Sequence, residues 1–164
     1  MKVTYSDLKN KRVFISGGGS GIGATIVEYF CEQKSDVYFI DIDIKSSNKL
    51  IKKIKKKGFR VPKFIECNIL DVKKLQNIIK DIISKQGAIH CLINSAANDD
   101  RHTTEQVDEK YWENRMGINL KHYFFAAQAV VKGMKKIKSG SIVNLSSVSW
   151  LSLIHISEPT RPAI

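Results

Sequence analysis

The stretch that constrains this chain most is Ser16-Gly17-Gly18-Gly19-Ser20-Gly21-Ile22-Gly23. An apolar run, Arg12-Val13-Phe14-Ile15, leads into it, and an amphipathic run from Ala24 to Gln33 leads out. Strand, glycine turn, helix is the setting in which a glycine pattern becomes a phosphate site. Glycine at 17, 21 and 23 lets the backbone turn tightly and lie close to a pyrophosphate. The start of the following helix then offers unpaired N–H groups and a partial positive charge to the anion. A flexible glycine linker is the competing reading, and the strand before and helix after speak against it.

The same alternation continues along the chain. Apolar runs predict strands at 12–16, 36–41, 61–66, 89–94 and 140–146, and helical spacing predicts helices at 21–33, 46–57 and 71–86. Residues 108–134 read as one long helix or two, and a glycine at 117, inside that stretch, points to a local irregularity. Ile22, Ile26, Val27 and Phe30 are expected to form the buried face of the first helix. Asp71 caps the third helix, and Gly58 and Gly87 stop the second and third. Short apolar strands alternating with amphipathic helices imply an α/β fold: a doubly wound parallel sheet in three layers, covered on both faces. Residues 1–150 are expected to be the amino-terminal part of a single domain, with no internal repeat or linker.

Composition narrows the partners. A chain of 164 residues can bury one real core. No run approaches the ~18 apolar residues of a membrane span. The polar first residues carry no apolar export segment, so a cytoplasmic protein without membrane contact is expected. Cys31, Cys67 and Cys91 lie far apart without metal-ligand spacing and read as core or surface thiols; no metal is expected. The net charge of +11 raises nucleic acid as a partner. Its densest part, residues 49–57, keeps Leu50, Ile51 and Ile54 at helical spacing with lysines on the other face, which is a solvated helix surface. No nucleic-acid partner is expected.

The candidate site residues gather at the carboxyl ends of the predicted strands. Gly17, Gly19, Ser20, Gly21, Ile22 and Gly23 make the phosphate cradle. Asp41 ends the second strand, where a carboxylate can accept both ribose hydroxyls of an adenosine and repel a 2′-phosphate. It therefore favours NAD over NADP, although a plain strand-end carboxylate is the alternative. Asn68 and Ile69 follow the third strand; the Asn68 carbonyl suits an adenine amino group or, equally, an Asx turn. Asn94, Ser95 and Ala96 end the fourth strand, small enough for a cofactor to lie against the backbone or for strand and helix to pack closely. Asn119 is an unfavourable choice inside a helix unless it has a bond to make; a buried structural Asn is the other reading. Ser146 and Ser147 end the fifth strand at the crevice, positioned either to polarise a substrate carbonyl or to cap a turn.

Taken together, these motifs resemble the short-chain dehydrogenase/reductase family. The family turn T-G-x-x-x-G-x-G appears as residues 16–23 with Ser for Thr. Its N-N-A-G appears as Asn94-Ser95-Ala96-Ala97 with two departures, and its acidic adenine contact appears as Asn68. Its helix asparagine falls on Asn119. Its I-V-N-x-S-S appears as Ile142-Val143-Asn144-Leu145-Ser146-Ser147. The resemblance implies a Rossmann-like fold and an NAD(P)-dependent oxidoreductase acting on a small alcohol, ketone or sugar. It implies catalytic roles for Ser147 and Asn119, and a homo-oligomeric parent, dimer or tetramer. Residues 96–102, with Tyr111-Trp112 and residues 119–130, are similar to the aldose dehydrogenases of the family, those acting on D-xylose among them, which oxidise the anomeric carbon to a lactone with NAD. Reduction of 3-oxoacyl or other ketones, and non-catalytic nucleotide binding, are the alternatives. The loop 98–102 is expected near the nicotinamide end of the crevice, as a substrate contact or as a polar loop with its own hydrogen bonds.

One family feature has no counterpart. The family mechanism uses a Tyr and a Lys four residues apart after the fifth strand, the Lys lowering the Tyr pKa so that a phenolate takes the alcohol proton. Tyrosines stand only at 5, 29, 38, 111 and 123, so none follows that strand. Leu151-Ser152-Leu153-Ile154-His155-Ile156-Ser157-Glu158-Pro159-Thr160-Arg161 reads as the translation of a transposase-type sequencing-library adapter. The expectation is therefore a natural coding sequence cut near Trp150, residues 151–164 being read-through. From this follow an open edge at the fifth strand, poor solubility or a molten state, and a chain without dehydrogenase activity.

Overall fold

A computed structural model gives the structure of the chain and describes residues 3–147. Five parallel strands among them, β1 (Arg12–Ser16), β2 (Asp36–Asp41), β3 (Lys63–Glu66), β4 (Cys91–Asn94) and β5 (Ser141–Asn144), form one sheet in the order β3-β2-β1-β4-β5. Between them run α1 (Gly21–Glu32), α2 (Ile44–Lys56), α3 (Val72–Gln86), α4 (Glu109–Met116) and α5 (His122–Ile137). The chain winds from β1 outward to β3, then crosses to β4 and outward again to β5. The strand order therefore reverses between β1 and β4, the place where open α/β sheets bind ligands. This is the doubly wound, three-layer α/β architecture that the alternation of runs predicts.

The central strands are apolar on both faces because both are covered. Alternate side chains point to opposite faces. Phe14, Tyr38, Ile40 and Leu92 pack under Leu75, Ile79 and Ile82 of α3 and Ala126 and Val130 of α5. Val13, Ile15, Val37, Phe39 and Ile93 pack under Val27 and Cys31 of α1 and Leu50 and Ile54 of α2. The lysines of α2 lie on its exposed face, and Lys53 and Lys57 both reach Glu28 of α1. Cys31 and Cys67 are buried and Cys91 half-buried, and burial pushes the Cys31 thiol up to about 12. Among the described residues no cluster of metal-ligating side chains occurs, and no helix is long and apolar enough to cross a membrane.

Local chemistry sets the boundaries. Asp43, Asp71 and Asp108 each accept the N–H of the residue three further on, from Ser46, Lys74 and Tyr111, and so start α2, α3 and α4. Such a cap is worth about 1 kcal/mol, and it starts α2 at Ile44, earlier than apolar spacing alone predicts. β3 begins at Lys63, which pairs with Tyr38, after Pro62, which has no N–H for a ladder. The stretch after Asp108 is two helices, joined by a π turn at Gly117–Lys121. A Cβ at Gly117 would lie 2.7 Å from Leu70 Cδ2.

Two expectations need comment. Ile22 is not part of the buried face of α1: it is 71% exposed, and the buried face is Gly23, Val27 and Cys31. The first turn of α1 lies at the carboxyl edge of the sheet, so Ile22 has no sheet beneath it. Among the described residues β5 is the edge strand, as expected, and all four of its residues are exposed. The adapter-like segment 151–164 lies outside the described residues.

Candidate functional site

The glycine turn leaves β1 at Ser16 and bends over the end of β2. The N–H groups of Gly17 and Gly18 both donate to the Ile40 carbonyl, at 2.9 and 3.1 Å. Gly17 has φ +69°, and a Cβ there would sit 2.6 Å from Ala96 Cα, so only glycine lets the turn touch the exit of β4. At Gly23 a Cβ would sit 1.9 Å from the Gly17 carbonyl oxygen, so the first turn of α1 packs directly on the loop. Ser20 occupies the N-cap position of α1 with no side-chain capping bond. The amides of the first turn of α1 are thereby available to an anion. Exposed Ile22 stands beside this turn.

Asp41 is tied to the cradle. Its Oδ2 accepts the Gly19 N–H at 2.8 Å, and its Oδ1 accepts the Asp43 N–H at 2.9 Å. Each carboxylate oxygen keeps acceptor capacity beyond these bonds. Asp41 is thus fixed between the glycine turn and the start of α2, and Asp43 is the helix cap. Asn68 forms the Asx turn: its Oδ1 accepts the Leu70 N–H at 3.0 Å, beside buried Ile69. Both follow β3, at the sheet edge opposite β5.

At the switch point, Asn94 is fully buried and donates from Nδ2 to Asn144 Oδ1 at 2.8 Å, while its own Oδ1 has no partner. The N–H groups of Ser95 and Ala96 both donate to Ser16 Oγ, at 3.1 and 3.3 Å. Leu145 is held from two sides, by the Asn94 carbonyl at 3.0 Å and the Tyr123 hydroxyl at 2.9 Å. Exposed Ser146 and Ser147 therefore continue from a point fixed beside the exit of β4.

Asn119 lies in the π turn and bonds both ways with the Asn98 backbone: Oδ1 accepts its N–H at 2.8 Å and Nδ2 donates to its carbonyl at 2.9 Å. The loop 98–102 has the internal bonds of a structural loop. Asp100 pairs with Arg115 at 2.7 Å, and the Tyr111 hydroxyl bonds His102 Nδ1 at 2.7 Å. Arg115 lowers the Asp100 pKa, with Asn98 assisting.

The structure thus brings together the glycine turn, Asp41 and the exit of β4, and ties Asn119 to that exit, while Asn68 and Ile69 lie two strands away from β1. Sequence reasoning gave no role to Ser16 and Asn144, although both stand in the motifs it singled out. His122, also overlooked, heads a buried i, i+4 row with Ala126, Val130 and Met134. Tyr5 and Lys9 have the four-residue spacing of the family pair, but they precede β1. The Tyr5 N–H donates to Gln33, at the end of α1 far from the glycine turn.

The fold is a Rossmann-like α/β domain, of the class in which ligands bind where the strand order reverses. Residues 11–153 match the short chain dehydrogenase family, and the chain belongs to it. Among its relatives is a Rhizobium meliloti protein named "probable galactose dehydrogenase", 39% identical over 97% of this chain and 60% of the relative. The D-xylose 1-dehydrogenase of Caulobacter vibrioides is 38% identical over 89% of this chain and 57% of its own. A 3-oxoacyl-[acyl-carrier-protein] reductase of Thermotoga maritima is 30% identical over 86% of this chain and 57% of its own. Among solved structures, the aldohexose dehydrogenase of Thermoplasma acidophilum superposes with a TM-score of 0.75 at 28% identity, covering 88% of this chain and 52% of that one. The chain thus spans at most 60% of the length of these relatives.

Proposed function

We propose that this chain is the amino-terminal part of an NAD-dependent oxidoreductase whose intact parent oxidises an aldose, such as D-xylose, at C1 to the lactone. The observation that carries the cofactor reading is Asp41, a carboxylate bonded to the glycine turn at the end of β2. The arrangement fits a dinucleotide, because the turn excludes side chains where a pyrophosphate would lie and leaves the first amides of α1 uncapped. Gly17, Gly19, Ser20, Gly21, Ile22 and Gly23 would hold the phosphates and Asp41 the adenosine ribose. Asn68 and Ile69 would border the adenine, and Asn94, Ser95 and Ala96 the nicotinamide half. When bound, the nicotinamide supplies the hydride acceptor.

In this reading Ser147 donates a hydrogen bond to the substrate oxygen, and Asn119 holds the 98–102 loop over the same end of the crevice. The sugar assignment leans on the relatives named for galactose and D-xylose. Ketone reduction, as in the 3-oxoacyl reductase relative, is the rival; Asp41 speaks against it by disfavouring NADP. No Tyr-x-x-x-Lys follows β5 in this chain, so polypeptide 1–164 is proposed to bind cofactor without turnover, as a nucleotide-binding module. The parent is proposed to be a cytoplasmic homo-oligomer, dimer or tetramer, without membrane or nucleic-acid partners. Trp112, Met116, Leu120 and Phe124, exposed at four-residue intervals along α4 to α5, support assembly through that face.

The test is to recover the full-length gene and assay aldoses and 3-oxoacyl thioesters with NAD and NADP. Aldose oxidation with NAD, and a Tyr-x-x-x-Lys beyond the native equivalent of Ser147, is the expected result. Activity confined to NADPH and 3-oxoacyl substrates would overturn the reading.

A further inference from the structure

His122 has no part in the site as assigned so far. It is fully buried, at the first position of α5, with its ring set edge-on to Tyr123 at 4.4 Å between centroids. Its Nε2 lies 3.4 Å from Ser16 Oγ, the same oxygen that accepts the N–H groups of Ser95 and Ala96. A hydroxyl oxygen has two acceptor lone pairs and one proton. With both lone pairs engaged, the proton has to point at an acceptor, and the group facing it is His122 Nε2. That assigns a neutral ring with its proton on Nδ1, an atom that has no hydrogen-bond partner of good geometry, although the Ile118 backbone lies near enough to raise the ring's pKa.

The π turn explains why this residue is available. A π turn shifts the register of the helical bonds and re-aims side chains. Asn119 within it grips the Asn98 backbone, and His122 directly after it reaches the preceding part of the same segment through Ser16. The Ala96 backbone in turn fills the place where a Cβ of Gly17 would be. A shift at the exit of β4 is therefore a shift of the glycine turn.

We propose that His122 is a positioning residue: as a neutral acceptor it orients the Ser16 hydroxyl and through it fixes Ser95 and Ala96 against the glycine turn. The clamp follows from the side-chain geometry alone; its effect on a nicotinamide cofactor rests on the function proposed above.

Nitrogen-15 NMR of the full chain reads the tautomer directly. The expected result is a proton on Nδ1 of His122, and a proton on Nε2 overturns the proposal. Hydrogen exchange at the Ser95 and Ala96 amides should accelerate about tenfold in His122→Leu, the weight of one lost hydrogen bond. In His122→Gln, whose side-chain oxygen accepts from the same hydroxyl, it should stay within about threefold of wild type. Ser16→Ala should reproduce the acceleration even where His122→Leu does not fold, and unchanged exchange in Ser16→Ala overturns the proposal. Titration with NADH adds the functional arm. His122→Leu should bind about tenfold more weakly and His122→Gln nearly as wild type; equal affinity of a folded His122→Leu refutes the positioning role. If wild type binds neither NADH nor NADPH, the cofactor reading fails, while the tautomer and exchange results still decide the role of His122.

Discussion

Acidification should unlock the core at His122, and the size of the effect can be worked out. Burial pushes this imidazole down from 6.5 to about 4. An unfolded chain releases the ring to water and takes up a proton near pH 6.5, whereas the folded chain takes it up only near pH 4. Between those values the unfolded state binds more protons, so stability is intact above pH 6.5 and falls as the pH drops toward 4. Linkage gives a loss of roughly 2 kcal/mol by pH 5 and roughly 3 kcal/mol by pH 4 from this one ring. The measurement is a series of urea unfolding curves from pH 7 down to 4.5 on wild type and His122→Gln. With a urea slope of about 1–3 kcal/mol per molar, the wild-type midpoint should drop about 1 M further than that of the variant by pH 5. His90, whose pKa is also lowered by burial, and the carboxylates of Glu28, Asp43 and Asp100, held down by their partners, titrate in both proteins, so the difference isolates His122. Parallel loss of stability in the two proteins would refute both the buried neutral ring and its bond to Ser16.

Other predictions address the cradle and the helix starts. Asp41→Ser should move the NADH/NADPH affinity ratio toward NADPH by about tenfold or more, the equivalent of ~1.4 kcal/mol of relieved repulsion; an unchanged ratio would remove Asp41 from the ribose site. Gly23→Ala forces a Cβ to within 1.9 Å of the Gly17 carbonyl oxygen. It should cost about 1–3 kcal/mol or more in a thermal melt and abolish NADH binding. Asp108→Ala removes the side-chain cap at Tyr111 N and should cost about 1 kcal/mol, read from denaturant midpoints. Asn119→Ala should speed exchange at the Asn98 amide with no change at Phe39 in the sheet core.

The fold was legible because its causes are periodic. Apolar runs at 12–16 and 36–41 are nearly continuous because both faces of β1 and β2 are covered, and the helices follow one apolar stripe each. The errors fell where a residue meets an edge. Ile22 fits the helical stripe, yet the sheet ends beneath it, so spacing alone marked it as buried. Pro62 shortens β3 through a missing donor, and Asp43 lengthens α2 through a cap; periodicity is blind to both. In the site, the glycine turn and Asp41 were readable because they are local signatures. Asn68 was readable only as an alternative between ligand and Asx turn, and its bond to the Leu70 N–H shows the turn.

Sequence by itself determined the parallel α/β alternation, the glycine turn and the carboxylate at the end of β2. Each is a property of neighbours along the chain, where spacing and residue type are sufficient. Only the tertiary structure decided that Ser16, His122, Ser95 and Ala96 share one hydroxyl, that Asn119 grips Asn98, and that Ala96 fills the space a Cβ at Gly17 would need. These contacts join residues 21 to 106 positions apart, and no local pattern encodes which side chain will face which across a packed sheet. Hydrogen-bond capacity then leaves little freedom: with two amides donating to the Ser16 oxygen, its proton has His122 Nε2 as the acceptor facing it.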